Sequence, residues 1–171
     1  GSALTISLDG GTIAGGMGGD GVSQAYAIDL TGGDSRLTLG TAFSILGGIN
    51  VEGSLTLDQP TDTTLSSDLS GGGSIIKTGG GSLRLEGDNS YAGSTTVNEG
   101  ILDFAAGMAM PDTTDLVIGA DGTLLLSTGL EMYGARSLSG EGRLQTAADS
   151  IFVVSGMGAA DTEFSGIVDA A

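Results

Sequence analysis

Apolar residues along this chain come in pairs separated by one position, with no helical spacing. Leu4/Ile6/Leu8, Leu37/Leu39, Ile49/Val51, Leu55/Leu57, Leu83/Leu85, Leu102/Phe104, Leu116/Ile118, Leu124/Leu126 and Ile151/Val153 all follow this period of two. It is the period of a short strand with one face turned inward. Glycine and polar clusters separate the pairs, as in a chain that turns sharply and often. With one pair per level, the step is 18 from Leu37 to Leu55, 19 from Leu83 to Leu102, 22 from Leu102 to Leu124 and 20 from Leu124 to Leu144. A step near twenty suits one coil of a solenoid. The expected fold is therefore all-β, a right-handed parallel β-helix (β-solenoid) of about twenty residues per coil, whose aliphatic ladders are buried only by stacking.

One interval breaks this register. Leu55 and Leu83 are 28 apart, so either Ile75 fills the intermediate level or a loop is inserted near Asp58–Thr64. The sequence favours the loop, because Asp58-Gln59-Pro60-Thr61-Asp62 lacks a backbone donor at proline and is rich in turn formers. Residues 15–21 and 105–114 show no alternation and are the other expected excursions.

Composition narrows the function. The chain has 171 residues, 39% of them apolar, enough for one packed domain or one piece of a longer array. Its 33 glycines follow no Gly-X-Y period, which excludes collagen. A net charge of −16, from 21 acidic and five basic residues, would repel phosphate backbones and anionic lipid, so neither nucleic acid nor a membrane surface is an expected partner. There is no cysteine and no histidine. That removes the usual nucleophile and base pairings and leaves carboxylate pairs or a Ser-Lys couple, with Lys77 the sole lysine. No pair of acids is bracketed by the basic and aromatic residues a sugar subsite wants, so no catalytic residue is assigned. Gly1-Ser2 reads as a cloning remnant, and residues 3–171 as an internal β-helical fragment of a longer protein.

Two glycine-rich stretches invite ligand readings. Residues 15–23, GGMGGDGVS, match the calcium nonapeptide G-G-x-G-x-D-x-U-x with Asp20 as its carboxylate, but residues 24–32 supply no second copy to complete the shell. Residues 71–78, GGGSIIKT, miss the phosphate-loop pattern, because Ile76 stands where glycine must precede the lysine. No cofactor is expected, and calcium at Asp20 is the one metal candidate.

The segment 69–102, LSGGGSIIKTGGGSLRLEGDNSYAGSTTVNEGIL, closely resembles the passenger-associated transport repeat of bacterial autotransporters (type V secretion). Looser echoes of the form L-S-G-x-G-x-apolar begin at Leu69 and Leu138, the second a partial repeat over 137–146. Gly79 and Gly81 are expected to set one corner, and Asn89 with Gly93 the next. Leu83 and Leu85 should point inward, and Thr95, Thr96 and Val97 should form a β-branched strand. Gly100 completes the repeat positions. The resemblance implies that Tyr91 is a half-exposed structural ring at a corner and that Lys77 is a solvated structural lysine.

The resemblance further implies an extracellular passenger at the surface of a Gram-negative bacterium, outer-membrane-anchored or released. Its partners would be the rest of the passenger and a C-terminal outer-membrane β-barrel. Its function would be that of a stem supporting export and surface display. The alternatives are an adhesin or self-association module that binds a host surface or another cell, and a stem for a secreted protease or lipase domain. Another β-helix, such as a pectin-cleaving enzyme or a phage fibre, remains a competing fold-level reading.

Overall fold

The computed structural model describes residues 3–16, 25–105, 110–127, 132–148, 150–155 and 163–170. Among these there are only strands and turns, and no helix long and apolar enough to cross a membrane. β1 (Thr5–Leu8) and β2 (Gly11–Ala14) open the stack. Three turns follow: β3 (Ile28–Leu30), β4 (Asp34–Leu39) and β5 (Phe43–Leu46); β6 (Ile49–Val51), β7 (Ser54–Asp58) and β8 (Thr63–Leu65); β9 (Leu69–Ser70), β10 (Ser74–Thr78) and β11 (Ser82–Leu85). β12 (Thr95–Phe104) and β13 (Asp115–Leu126) each run around a corner and serve two walls. β14 (Met132–Ala135), β15 (Ser137–Gly140) and β16 (Arg143–Thr146) make a sixth turn, and β17 (Ile151–Val154) and β18 (Ile167–Ala170) close the described stack.

Every ladder between these strands is parallel, as coiling in one sense requires. The longest path through the sheets joins eight strands, β1-β4-β7-β10-β12-β13-β16-β18. Its inner columns are aliphatic: Leu55 stacks on Ile75, and Leu83 on Leu102, which is followed by Leu124 and Leu144. Each of these side chains is at most 1% exposed. Burying such a side chain stabilises the fold by roughly 1.5–3 kcal/mol.

The register corrects the expected loop. Ile75 lies over Leu55 and Leu83 over Thr63, both at a step of twenty. Leu55 and Leu83 are on different walls of consecutive turns, so nothing is inserted at 58–64. That stretch is an ordinary corner sealed by Gln59, which is fully buried. The excursion expected over 15–21 has its counterpart in the first step, which is 31 from Thr5 to Arg36. Gly15 N–H donates to Leu46 O and Ala25 N–H to Gly16 O, which brings the flanks together, while residues 17–24, Asp20 included, lie outside the described residues. Of the excursion expected over 105–114, residues 106–109 lie outside the described residues, while Met110 and Thr114 beside them are buried.

The four arginines tie neighbouring turns together from outside. Arg36 reaches Asp58 at 2.7 Å, Arg84 reaches Asp103 at 2.6 Å, Arg143 reaches Asp169 at 2.5 Å, and Arg136 forks onto Asp115 with its Nε at 2.8 Å. Solvent-exposed pairs contribute at most about 1 kcal/mol each, so those of Arg36 and Arg136 mark register more than they supply stability, while Arg84 meets a buried carboxylate in Asp103.

Candidate functional site

The coil at 69–102 buries four side chains with polar tips, Lys77, Asn89, Tyr91 and Thr95. Lys77 sits in an inner column between Leu57 and Val97 and is 0% exposed. Its Nζ donates to three backbone carbonyls, Gly79 O at 2.7 Å, Thr78 O at 2.9 Å and Glu99 O at 3.2 Å. Two of these lie on its own turn and one on the next. The cage forms where Gly79 and Gly100 take the left-handed backbone conformation, at φ 78° and 68°. Burial pulls the Lys77 ammonium below the usual lysine range, and the charges of Asp58 and Glu99 partly offset that pull. The solvated lysine expected from the sequence is thus an interior clamp between two coils.

Tyr91 is likewise interior, fully buried where a half-exposed ring was expected. Its hydroxyl lies 2.6 Å from Thr95 Oγ1, which is 3.0 Å from Thr114 Oγ1, and Thr114 in turn donates to Gly93 O at 2.9 Å. This chain of hydroxyls gives Tyr91, Thr95 and Thr114 a partner each, which is the condition for burying them. Asn89, also buried, accepts the Leu69 N–H of the preceding turn at 2.9 Å.

The remaining repeat positions are placed as follows. Leu83, Leu85, Thr95 and Val97 point inward and are buried, and Thr96 is half-buried on the outer side of its strand. Gly79 makes a corner through its positive φ, whereas Gly81 is there for proximity: a Cβ on it would lie 2.4 Å from the carbonyl carbon of Thr61. Gly93 belongs to a glycine column with a period of twenty in the sequence. Gly33, Gly53, Gly73 and Gly93 succeed one another, and a Cβ added to any of the last three would come within 2.3 Å of the preceding glycine's carbonyl oxygen. Thr114 ends the column by offering its hydroxyl to that same carbonyl row.

The partial repeat at 137–146 uses the same turn at another corner. Gly71 and Gly140, at equivalent places in L-S-G-x-G, both have positive φ, 102° and 109°. Leu138, however, stacks in the column of Leu116, which is the column of Ile75 and not of Leu69. The motif therefore encodes a bend in the chain and not a position around the coil.

Among the described residues no group of three or more acidic side chains is gathered to hold a metal ion. The arrangement at the repeat is an internally bonded wall.

Comparison with known proteins agrees with this architecture. Residues 75–104 match the passenger-associated-transport-repeat family. The chain is 33% identical over 146 residues to the "Adhesin BmaC autotransporter" of Brucella suis biovar 1 (strain 1330), an alignment covering 72% of this chain and 4% of that protein. The chain thus spans a small fraction of the length of the curated relative it matches. No solved structure matches. With its matched repeat, its relative and its stack of parallel coils, this chain belongs to the autotransporter passenger domains.

Proposed function

We propose that this segment is an extracellular stem of an autotransporter passenger, in which closure of the transport-repeat coil helps to draw the chain outward and hold an effector or adhesive region away from the cell. One observation supports the reading: within the matched repeat, consecutive coils are bonded to each other through the interior by Lys77 and by Thr95. Lys77 and Thr95 are satisfied by groups one turn later, at Glu99 and Thr114. A coil so built is finished only when the next stacks on it, and each added coil buries aliphatic surface at about 25 cal/mol/Å². Outside the membrane, that sequence of closures favours forward movement of an unfolded chain. The parent's partners on this reading are the rest of the passenger and an outer-membrane β-barrel, at the surface of a Gram-negative cell.

The test removes one coil in register. Deleting residues 75–94 from the full-length parent joins Ser74 to Thr95 without changing which wall follows. Deleting residues 35–54 does the same outside the matched repeat. Loss of surface display on the first deletion, with the anchor still inserted and the second deletion displayed, supports the export role. Equal display of both deletions would refute it.

A second reading, adhesion, is favoured by the name of the Brucella relative, an adhesin. Purified chain on beads, tested for aggregation and for binding to host cells, distinguishes an adhesive wall from a passive stem.

A further inference from the structure

Between the first and second turns the third wall is open. β5 pairs with β2 and β8 pairs with β11, yet no ladder joins β5 to β8, although Phe43 and Thr63 stand twenty apart as ladder partners do elsewhere. The cause lies one corner upstream. Pairing of β4 with β7 stops at Leu37 and Leu57. In the orientation that satisfies both ends of its amide, Gln59 donates to Leu39 O at 2.9 Å and accepts from Leu39 N–H at 3.2 Å. A buried side chain occupies the main-chain ladder's place, and Pro60 has no N–H with which to restore it. Beyond this wedge the turns are laced by hydroxyls, Thr63 to Gly40 O at 2.7 Å and Ser67 to Ile45 O at 3.2 Å.

The cleft so formed has a volume of about 510 Å³ and continues into a second of about 390 Å³ past Leu46. Its lining alternates as a solenoid rung does. Phe43, Ile45 and Leu65 belong to the inner side, Ser44 and Thr64 to the outer. The two ends carry exposed carboxylates, Asp62 and Asp68, each fixed by accepting a backbone N–H of the following turn, from Ser82 and Asp88, both at 2.8 Å. Between them the chain runs along β8 and then through a bend at Ser67.

From these features we propose that the cleft receives an extended peptide strand of alternating apolar and polar residues with a cationic group at each end, bound along strand edges. The acidic ends and the chain's net charge of −16 argue against a second copy as occupant and for a basic one. This goes beyond the stem function and does not depend on it.

The probe is the blocked hexapeptide KTVTVK, titrated into the isotopically labelled chain, with ETVTVE, proline-interrupted KTVPVK and a neutral maltohexaose as comparisons. Expected are amide shifts confined to 41–46 and 62–68 and binding that weakens with salt. Affinity should also fall about fivefold or more in the Asp62→Asn/Asp68→Asn variant, whose amide oxygens keep the Ser82 and Asp88 bonds. The proposal is overturned if KTVTVK produces no shifts, if the shifts fall on another wall, if ETVTVE or KTVPVK binds equally well, if the double variant binds unchanged, or if the oligosaccharide alone is bound.

Discussion

Lys77 carries its ammonium to the backbone carbonyl of Glu99, 22 residues later and 3.2 Å away, so the interior of one turn is completed by the next. Replacing it with methionine keeps an unbranched apolar stem, one atom shorter, and empties the cage. Carbonyls at the Gly79 and Glu99 corners then lose their donor, a loss of about 1–3 kcal/mol. The unfolding free energy of Lys77→Met from urea titration should fall by that amount, through a lower midpoint at an unchanged slope. A more stable variant would show that the ammonium is tolerated there and contributes nothing to the fold.

The same burial sets a pH dependence. Folding holds the Lys77 pKa below its unfolded value, so in the alkaline window between the two the unfolded chain binds more protons and stability rises with pH. Wild type should therefore gain on Lys77→Met as pH climbs toward about 10, when the two are compared by denaturant midpoint at each pH.

Tyr91 contributes with the opposite sign. Burial holds its phenol well above the ordinary range, so above about pH 10 the unfolded chain ionises while the folded one keeps its proton, and stability falls. Tyr91→Phe should lose about 1 kcal/mol at neutral pH with its bond to Thr95, and its alkaline decline should be shallower than that of wild type. Equal alkaline slopes would contradict the buried hydroxyl chain.

The acid limb is read at Asp115. Its bonds to Arg136, and then to Ser137, hold its carboxyl at about 2, below the ordinary carboxylate value. The stability this adds is present above about pH 4 and is lost as pH falls toward 2. The difference between wild type and Asp115→Asn should shrink over that window, and a difference independent of pH would sink the assignment.

Glycines of one triplet should respond differently. In Gly79-Gly80-Gly81 a Cβ on Gly81 collides with the backbone of Thr61, whereas nothing lies within 4 Å of one on Gly80. Gly81→Ala should destabilise by about 1–3 kcal/mol. Gly80→Ala should be neutral or stabilising by up to about 1 kcal/mol through the unfolded state. Thermal unfolding of the pair checks both.

These contrasts show where the sequence could be read and where it could not. The column Leu83, Leu102, Leu124, Leu144 was legible because an aliphatic side chain has nowhere to go but inward, and its spacing is the length of a turn. Leu55 to Leu83 misled because each turn has several walls, and apolar spacing alone does not say which wall a pair occupies. Lys77 and Tyr91 looked external because residue type predicts burial only through its partners. Here those partners are backbone carbonyls and a threonine hydroxyl supplied by other turns, which no local pattern announces. Gln59 is hidden for the same reason, its amide standing in for main chain. The glycine column at 33, 53, 73 and 93 was visible all along, but its meaning, a close approach of backbone to backbone, required the stack.

The most direct test of the account compares stability with display in the parent protein across Leu83→Ala, Leu102→Ala and Gly80→Ala. Each leucine truncation should cost about 2–5 kcal/mol in the purified chain. Passenger accessible to external protease on intact cells should fall in the same order, with the anchor's insertion unchanged and Gly80→Ala displayed as wild type. Full display of both leucine variants, despite their loss of stability, would contradict the claim that coil closure at the repeat supports export.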